Sequence, residues 1–264
     1  MVSFLTKFVF TLVLAGCWGW SSAAAQLPSN GPSPEYYELR IYKIFDFEKQ
    51  QIAEKHLNEA FLPALNRQGI DRIGVFVNQT DENDHSLFVL IPFPNIDKFT
   101  NLNANLAADQ VFQTASTEYF ARELADPIFN RIESRLMKAF VGMPIIELSA
   151  NSVDNKNRIF ELRLYESHTE DHARRKVQMF NEGEIQVMRD TKLGPVFFGE
   201  TLIGPDTPNL IYMLSAANEE EHAQHWKSFL AHPEWLRMKD LPEYQDTVSK
   251  IQKWMLKPTP YSQL

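Results

Sequence analysis

"YYELRIY" at residues 36–42 and "IFELRLY" at residues 159–165 are nearly the same string, 123 positions apart. Successive side chains of a β-strand point to opposite faces, so each string splits into two sets. Tyr37, Leu39 and Ile41 share one face, and Glu38, Arg40 and Tyr42 share the other. The second copy repeats the division, with Phe160, Leu162 and Leu164 opposed to Glu161, Arg163 and Tyr165. One strand written twice points to a supersecondary unit used twice.

The residues around each copy extend the repeat. After the strand at 36–44, residues at helical spacing (Ile52, His56, Leu57, Ala60, Phe61, Leu65) predict a helix over 47–66. "RIGVFVNQ" (72–79) and "SLFVLIPF" (86–93) flank the polar turn "NQTDENDH" and read as a hairpin. A helix is expected over 96–108, another within "EYFARELADPIF" up to Pro127, and a fourth strand at 131–140. The second half shows the same order: strand 158–166, helix 169–190, the hairpin "PVFFGETL" and "NLIYMLSA", a helix with a break near Pro233, and a strand at 250–258. This is β-α-β-β-α-β twice, the ferredoxin-like motif, in an α+β chain. The divisions are residues 35–148 and 158–264, joined by a polar linker at 149–157.

The chain resembles the NIPSNAP family. The resemblance rests on "YYELRIY" and "FELRLY", on "WKSFLAHPEW" from Trp226 to Trp235, on "LADPIFNRIESRLMKAF", and on the ending "LKPTPYSQL". It covers residues 35–264 and implies the dimeric α/β-barrel superfamily, in which two ferredoxin-like sheets pack face to face. The two repeats of this one chain then supply both sheets. The resemblance implies no reaction, because the family has no generally established one.

In that architecture the aliphatic face of each twin strand is expected to meet the helices, and the Glu-Arg-Tyr face to look into the barrel. The candidate cavity residues are therefore Glu38, Arg40, Tyr42, Glu161, Arg163 and Tyr165. Arg offers a planar fork for a carboxylate or phosphate, Tyr a hydroxyl and a ring, and a buried Glu a general base. Two readings stand side by side: a polar pocket for a small anionic or polar ligand, and Glu–Arg pairs that satisfy each other, since a buried charge requires a partner. At the level of function they become a small-molecule-binding or scaffold protein, with a cofactor-independent monooxygenase- or isomerase-like enzyme as the alternative by analogy of fold.

Composition bounds these readings. A net charge of −8 gives no support to nucleic acid as a partner. G-x-S-x-G, P-loop and G-x-G-x-x-G motifs are absent. No cofactor is called for: some related barrels bind haem, but Cys17 is the only cysteine and no histidine is placed on the barrel face. His168/His172 and His222/His225 have helical spacings but lack H-E-x-x-H, and they read as surface histidines, with no metal site. "HPEWLRMK" reads as a helix break that returns Trp235, Leu236 and Met238 to the core.

Residues 1–25 show Lys7, an apolar run from Phe8 to Trp20 and then Ala23-Ala24-Ala25, the layout of a signal peptide. The run of 13 residues is shorter than the ~20 that span a bilayer, so the mature form is expected to have no transmembrane helix. Residues 26–34 read as a flexible tether. Export to the periplasm or beyond is expected, with lipid anchoring through Cys17 in "LAGC" as the alternative. Homo-oligomerisation stays open.

Overall fold

The computed structural model describes residues 31–148 and 157–264. The expected leader at 1–25 lies outside them, as do most of the tether at 26–34 and of the linker at 149–157. Eight strands form: β1 (Tyr36–Ile44), β2 (Gly74–Asn78), β3 (Leu87–Phe93), β4 (Phe129–Ala139), β5 (Ile159–Glu166), β6 (Pro195–Ile203), β7 (Asn209–Ala216) and β8 (Lys250–Pro258). They close into a barrel in the order β1-β3-β2-β8-β5-β7-β6-β4. Every neighbouring pair is antiparallel. Each repeat thus contributes a ferredoxin-like sheet, and the edges are hydrogen-bonded to one another where β2 meets β8 and β4 meets β6. Closure removes the exposed strand edges, and one chain achieves it without a second copy.

Helices cover the outside. In the first repeat these are α1 (Phe47–His56), α2 (Leu62–Arg67), α3 (Ile96–Thr100), α4 (Leu102–Ala108), α5 (Gln110–Ala115) and α6 (Thr117–Phe120). In the second they are α7 (Glu170–Met179), α8 (Ile185–Asp190), α9 (Glu219–Leu230) and α10 (Pro233–Met238). No helix among the described residues is long and apolar enough to cross a membrane.

The 123-residue offset holds well beyond the twin strands. A π-turn joins α1 to α2 at Leu57–Phe61, and another joins α7 to α8 at Phe180–Glu184. Asp46 and Thr169 cap α1 and α7, and Asn95 and Asn218 cap α3 and α9, each accepting a backbone N–H of the first turn. Both α2 and α8 end in a Schellman motif. Ile70 N–H donates to Leu65 and Gly69 N–H to Asn66, and in the second copy Leu193 donates to Met188 and Lys192 to Arg189. Gly69 and Lys192 take the required left-handed backbone, at φ of 73° and 60°.

Two expectations for the first repeat differ from the structure. The helix over 96–108 is interrupted at Asn101, between α3 and α4. The helical stretch before Pro127 shrinks to α6, and residues 121–128 leave the helix. Asp126 ties this segment down, accepting from Arg122 at 2.9 Å and pairing with Lys49 of α1.

The core has an inner and an outer part. Tyr37, Leu39, Ile41, Phe160, Leu162 and Leu164 belong to a cluster drawn from all eight strands and no helix, which is the barrel interior. Tyr42 packs with α1, α2, α4 and α5 residues, and Tyr165 with α8 and α9 residues, in two clusters outside the barrel. The expected orientation of the twin strands is therefore reversed. Their aliphatic faces fill the barrel, and Glu38, Arg40, Tyr42, Glu161, Arg163 and Tyr165 face the helices. An eight-stranded barrel is just wide enough for side chains to fill, so the bulky apolar face goes inside. The paired charges take the outer face, where helices bring polar partners. Leu236, expected in the core with Trp235 and Met238, is 45% exposed.

Candidate functional site

Beneath the helices of the first repeat, Arg40 Nε lies 2.8 Å from Glu38 Oε1. Ser134, from β4, donates its hydroxyl to the same oxygen at 2.7 Å. Burial alone would lower the basicity of Arg40, but the neighbouring Tyr42 and Glu38 outweigh it and keep the guanidinium charged. Its Cζ sits 5.1 Å from the centre of the Phe61 ring, within cation–π range. Each arginine side chain is 16% exposed and lies beside the glutamate of its own strand, Arg40 beside Glu38 and Arg163 beside Glu161.

Arg40 and Tyr42 line a cavity of about 590 Å³. His56, Phe61, Asn103, Phe112 and Tyr119 continue its wall, and Phe120, Leu124 and Ile132 stand at a solvent-exposed apolar rim. The π-turn after His56 helps to shape this wall: its wider hydrogen-bonded ring turns residues five apart toward one side, and His56 and Phe61 both line the space. His56 stacks on Tyr119 with ring centres 3.7 Å apart and an angle of 8°. Burial pushes the His56 pKa down to about 4 and the Tyr119 hydroxyl up. The imidazole is therefore neutral near pH 7, and its buried Nδ1 has no hydrogen-bond partner. The chemistry available is the Arg40 and Arg122 cations, the Glu123 carboxylate, several ring faces and a neutral imidazole.

The second repeat builds the same layer and fills it. Trp226 of α9 lays its ring 4.6 Å from the Arg163 guanidinium and donates its indole N–H to Glu161 Oε2 at 2.8 Å. His222 Nε2 lies 2.8 Å from the same oxygen, and Arg163 lies 3.6 Å from Glu161. Burial alone would raise the Glu161 pKa, but His222, Arg163 and Trp226 together hold it below the usual carboxylate value. Tyr165 and Tyr212 share a hydrogen bond of 2.8 Å, with the Tyr165 pKa pushed up to about 12 by burial. Lys176 Nζ bonds Glu184 at 2.7 Å and lies 5.7 Å from the centre of the Trp235 ring. His222, expected at the surface, is buried in this network.

All six expected residues thus lie in corresponding layers, three per repeat, on opposite sides of the barrel rather than around one shared space. His56 and Trp226 were not singled out as site residues. The offset itself carried the signal for Trp226, because the position 123 residues earlier is Asn103. Nothing in the strand pattern marked His56. Among the described residues no three of His, Cys, Asp and Glu come together to hold a metal.

Fold and site together define a tandem ferredoxin-like barrel with one open and one filled helix–sheet layer. The chain belongs to the NIPSNAP family, whose model matches residues 37–141 and 160–263. No curated protein matches the sequence. Among solved structures it is similar to a proposed monooxygenase from Fusobacterium nucleatum, with 7% identity, 86% of this chain and 93% of that chain covered, and a TM-score of 0.58. A proposed monooxygenase from Lactobacillus acidophilus is similar at 14% identity, with 86% and 94% covered and a TM-score of 0.54. An uncharacterised NIPSNAP-like domain protein from Burkholderia xenovorans matches 40% of this chain over 90% of its own, at 23% identity and a TM-score of 0.37. At these identities the likeness concerns the fold alone.

Proposed function

We propose that the protein binds a small organic molecule in the helix–sheet cavity of its first repeat. The observation that carries this reading is the difference between the repeats. The layer around Arg163 is filled by the chain's own Trp226 and by the Lys176–Glu184 pair, whereas the layer around Arg40 opens on a cavity of about 590 Å³. That volume lies in the range of small-molecule sites, and so does the mixture of ring walls with a few convergent polar groups. The ligand space lies outside the barrel, whose interior is apolar. Native mass spectrometry of protein purified from its host tests the reading. The wild type is expected to carry a bound small molecule, and Asn103→Trp, which places the bulk of Trp226 in the cavity, to lose it. Purification of the wild type without any adduct, combined with no binding from a small-molecule library, refutes it and leaves the scaffold role.

His56 favours a second reading, that of a cofactor-independent enzyme. A neutral imidazole with a free nitrogen can accept a proton from a bound ligand, while Arg40 steadies the negative charge that remains. Incubation of the ligand with protein in deuterated water reads this step directly. Exchange at an acidic position that disappears in His56→Gln supports catalysis; absence of exchange in the wild type removes it.

We infer that the chain is exported, on the layout of residues 1–25. Intact-mass measurement on protein from the native host is expected to show a start at Gln26 or, in the alternative, a lipidated Cys17. A chain that retains Met1 overturns both.

A further inference from the structure

We propose that the first-repeat cavity takes a flat aromatic molecule bearing an N–H or O–H donor, and that Trp226 is the chain's own counterpart of that molecule in the second repeat. The inference rests on the reading of the cavity as a ligand site.

Asn103 and Trp226 are both the eighth residue after a helix-capping asparagine, Asn95 and Asn218. Asn103 lines the cavity together with Arg40. In the second repeat Trp226 does two things at this place. Its ring covers the Arg163 guanidinium at 4.6 Å, and its N–H satisfies Glu161 Oε2 at 2.8 Å. The second donor-bearing neighbour of that oxygen is His222. The first repeat retains the two groups that receive these contacts, as Arg40 and Glu38, but neither of the groups that make them. The position of His222 is held by Phe99, which has no side-chain donor, and that of Trp226 by the shorter Asn103.

The consequence is visible in Glu38. It is 4% exposed, and its Oε1 takes both Arg40 and Ser134. Its Oε2 is buried with no hydrogen-bond partner. An unsatisfied buried carboxylate oxygen is costly. Glu38 is not itself among the residues that line the cavity, and a ligand donor completes it by entering the place that the Trp226 indole takes beside Glu161. A ring placed as Trp226 is placed would also lie over Arg40, where a cation–π contact rewards an electron-rich aromatic. Indoles and phenols meet both conditions. Phe112 and Leu106, which also line the cavity, then take the apolar part of a larger ligand.

Calorimetric titration of the full chain with indole, 1-methylindole and benzothiophene separates the terms. Indole is expected to bind, and the two analogues, which have the ring without the N–H, to bind at least tenfold more weakly. Asn103→Trp is expected to abolish indole binding. As a second variant, Trp226→Asn empties the second layer and is expected to bind two equivalents of indole, with a rise in its thermal midpoint when indole is added. Equal binding of all three probes overturns the donor assignment while leaving the cavity as a ligand site. Lack of binding of indole to the wild type, or an unchanged stoichiometry in Trp226→Asn, overturns the proposal. Retention of the naturally carried molecule by the wild type but not by Asn103→Trp then shows that the cavity reading survives it.

Discussion

Lys176 donates to Glu184 at 2.7 Å beneath the helices of the second repeat, and the matching residues of the first repeat are Ala53 and Phe61. Both members of the pair are almost fully buried. Removing one partner of a buried pair leaves an uncompensated charge, whereas removing both for apolar groups is often neutral. Lys176→Ala alone is expected to cost roughly 3–5 kcal/mol. The double change Lys176→Ala/Glu184→Phe, which installs the first-repeat residues, is expected to recover most of that loss. Urea unfolding of the two variants measures the difference.

The Arg40–Glu38 pair follows the same rule but has a cavity beside it. Arg40→Met leaves Glu38 with Ser134 as its remaining hydrogen-bond partner and is expected to lower stability by about 3 kcal/mol. Arg40→Met/Glu38→Gln is expected to fold with a midpoint near the wild type and yet fail to retain ligand. A double variant that keeps its ligand would separate the polar pair from the binding site.

His56 links the cavity to pH. Its folded-state pKa of about 4 lies below the usual histidine value, because burial penalises the charged form. Below pH 6.5 or so the unfolded chain binds the proton and the folded chain does not. The His56 contribution is therefore present above the unfolded pKa and is lost as pH falls toward 4. His56→Phe is expected to flatten the stability profile between those limits, by roughly 3 kcal/mol at most. Imidazole resonances in an NMR titration check the value: a His56 midpoint near 6.5 would contradict it.

Lys192 takes the left-handed backbone at the end of α8, at φ of 60°, where the first repeat uses Gly69. A side chain in that region is strained and glycine is not. Lys192→Gly is expected to stabilise by about 1 kcal/mol, and Gly69→Lys to destabilise by a similar amount. Thermal unfolding of both single variants tests the pair, and an equal sign for the two changes would refute the account.

Much of this architecture is legible in the chain itself. The echo of 36–42 in 159–165 specifies two units, the alternation within it specifies strands with two distinct faces, and the spacing of apolar residues places the helices that flank them. The same alternation shows that Arg40 and Glu38 stand on one face and must satisfy each other if buried. It does not show which face turns inward. Both faces of β1 are covered, one by the opposite wall of the barrel and one by helices, and a period of two is the same in either case. Barrel closure made that decision, because the confined interior accepts bulky apolar side chains and the helix side offers polar partners. The unequal fate of the two layers also depends on tertiary structure: Trp226 is an ordinary helix residue until α9 lies over Arg163, and Asn103 is an ordinary gap until α4 leaves Arg40 facing open space.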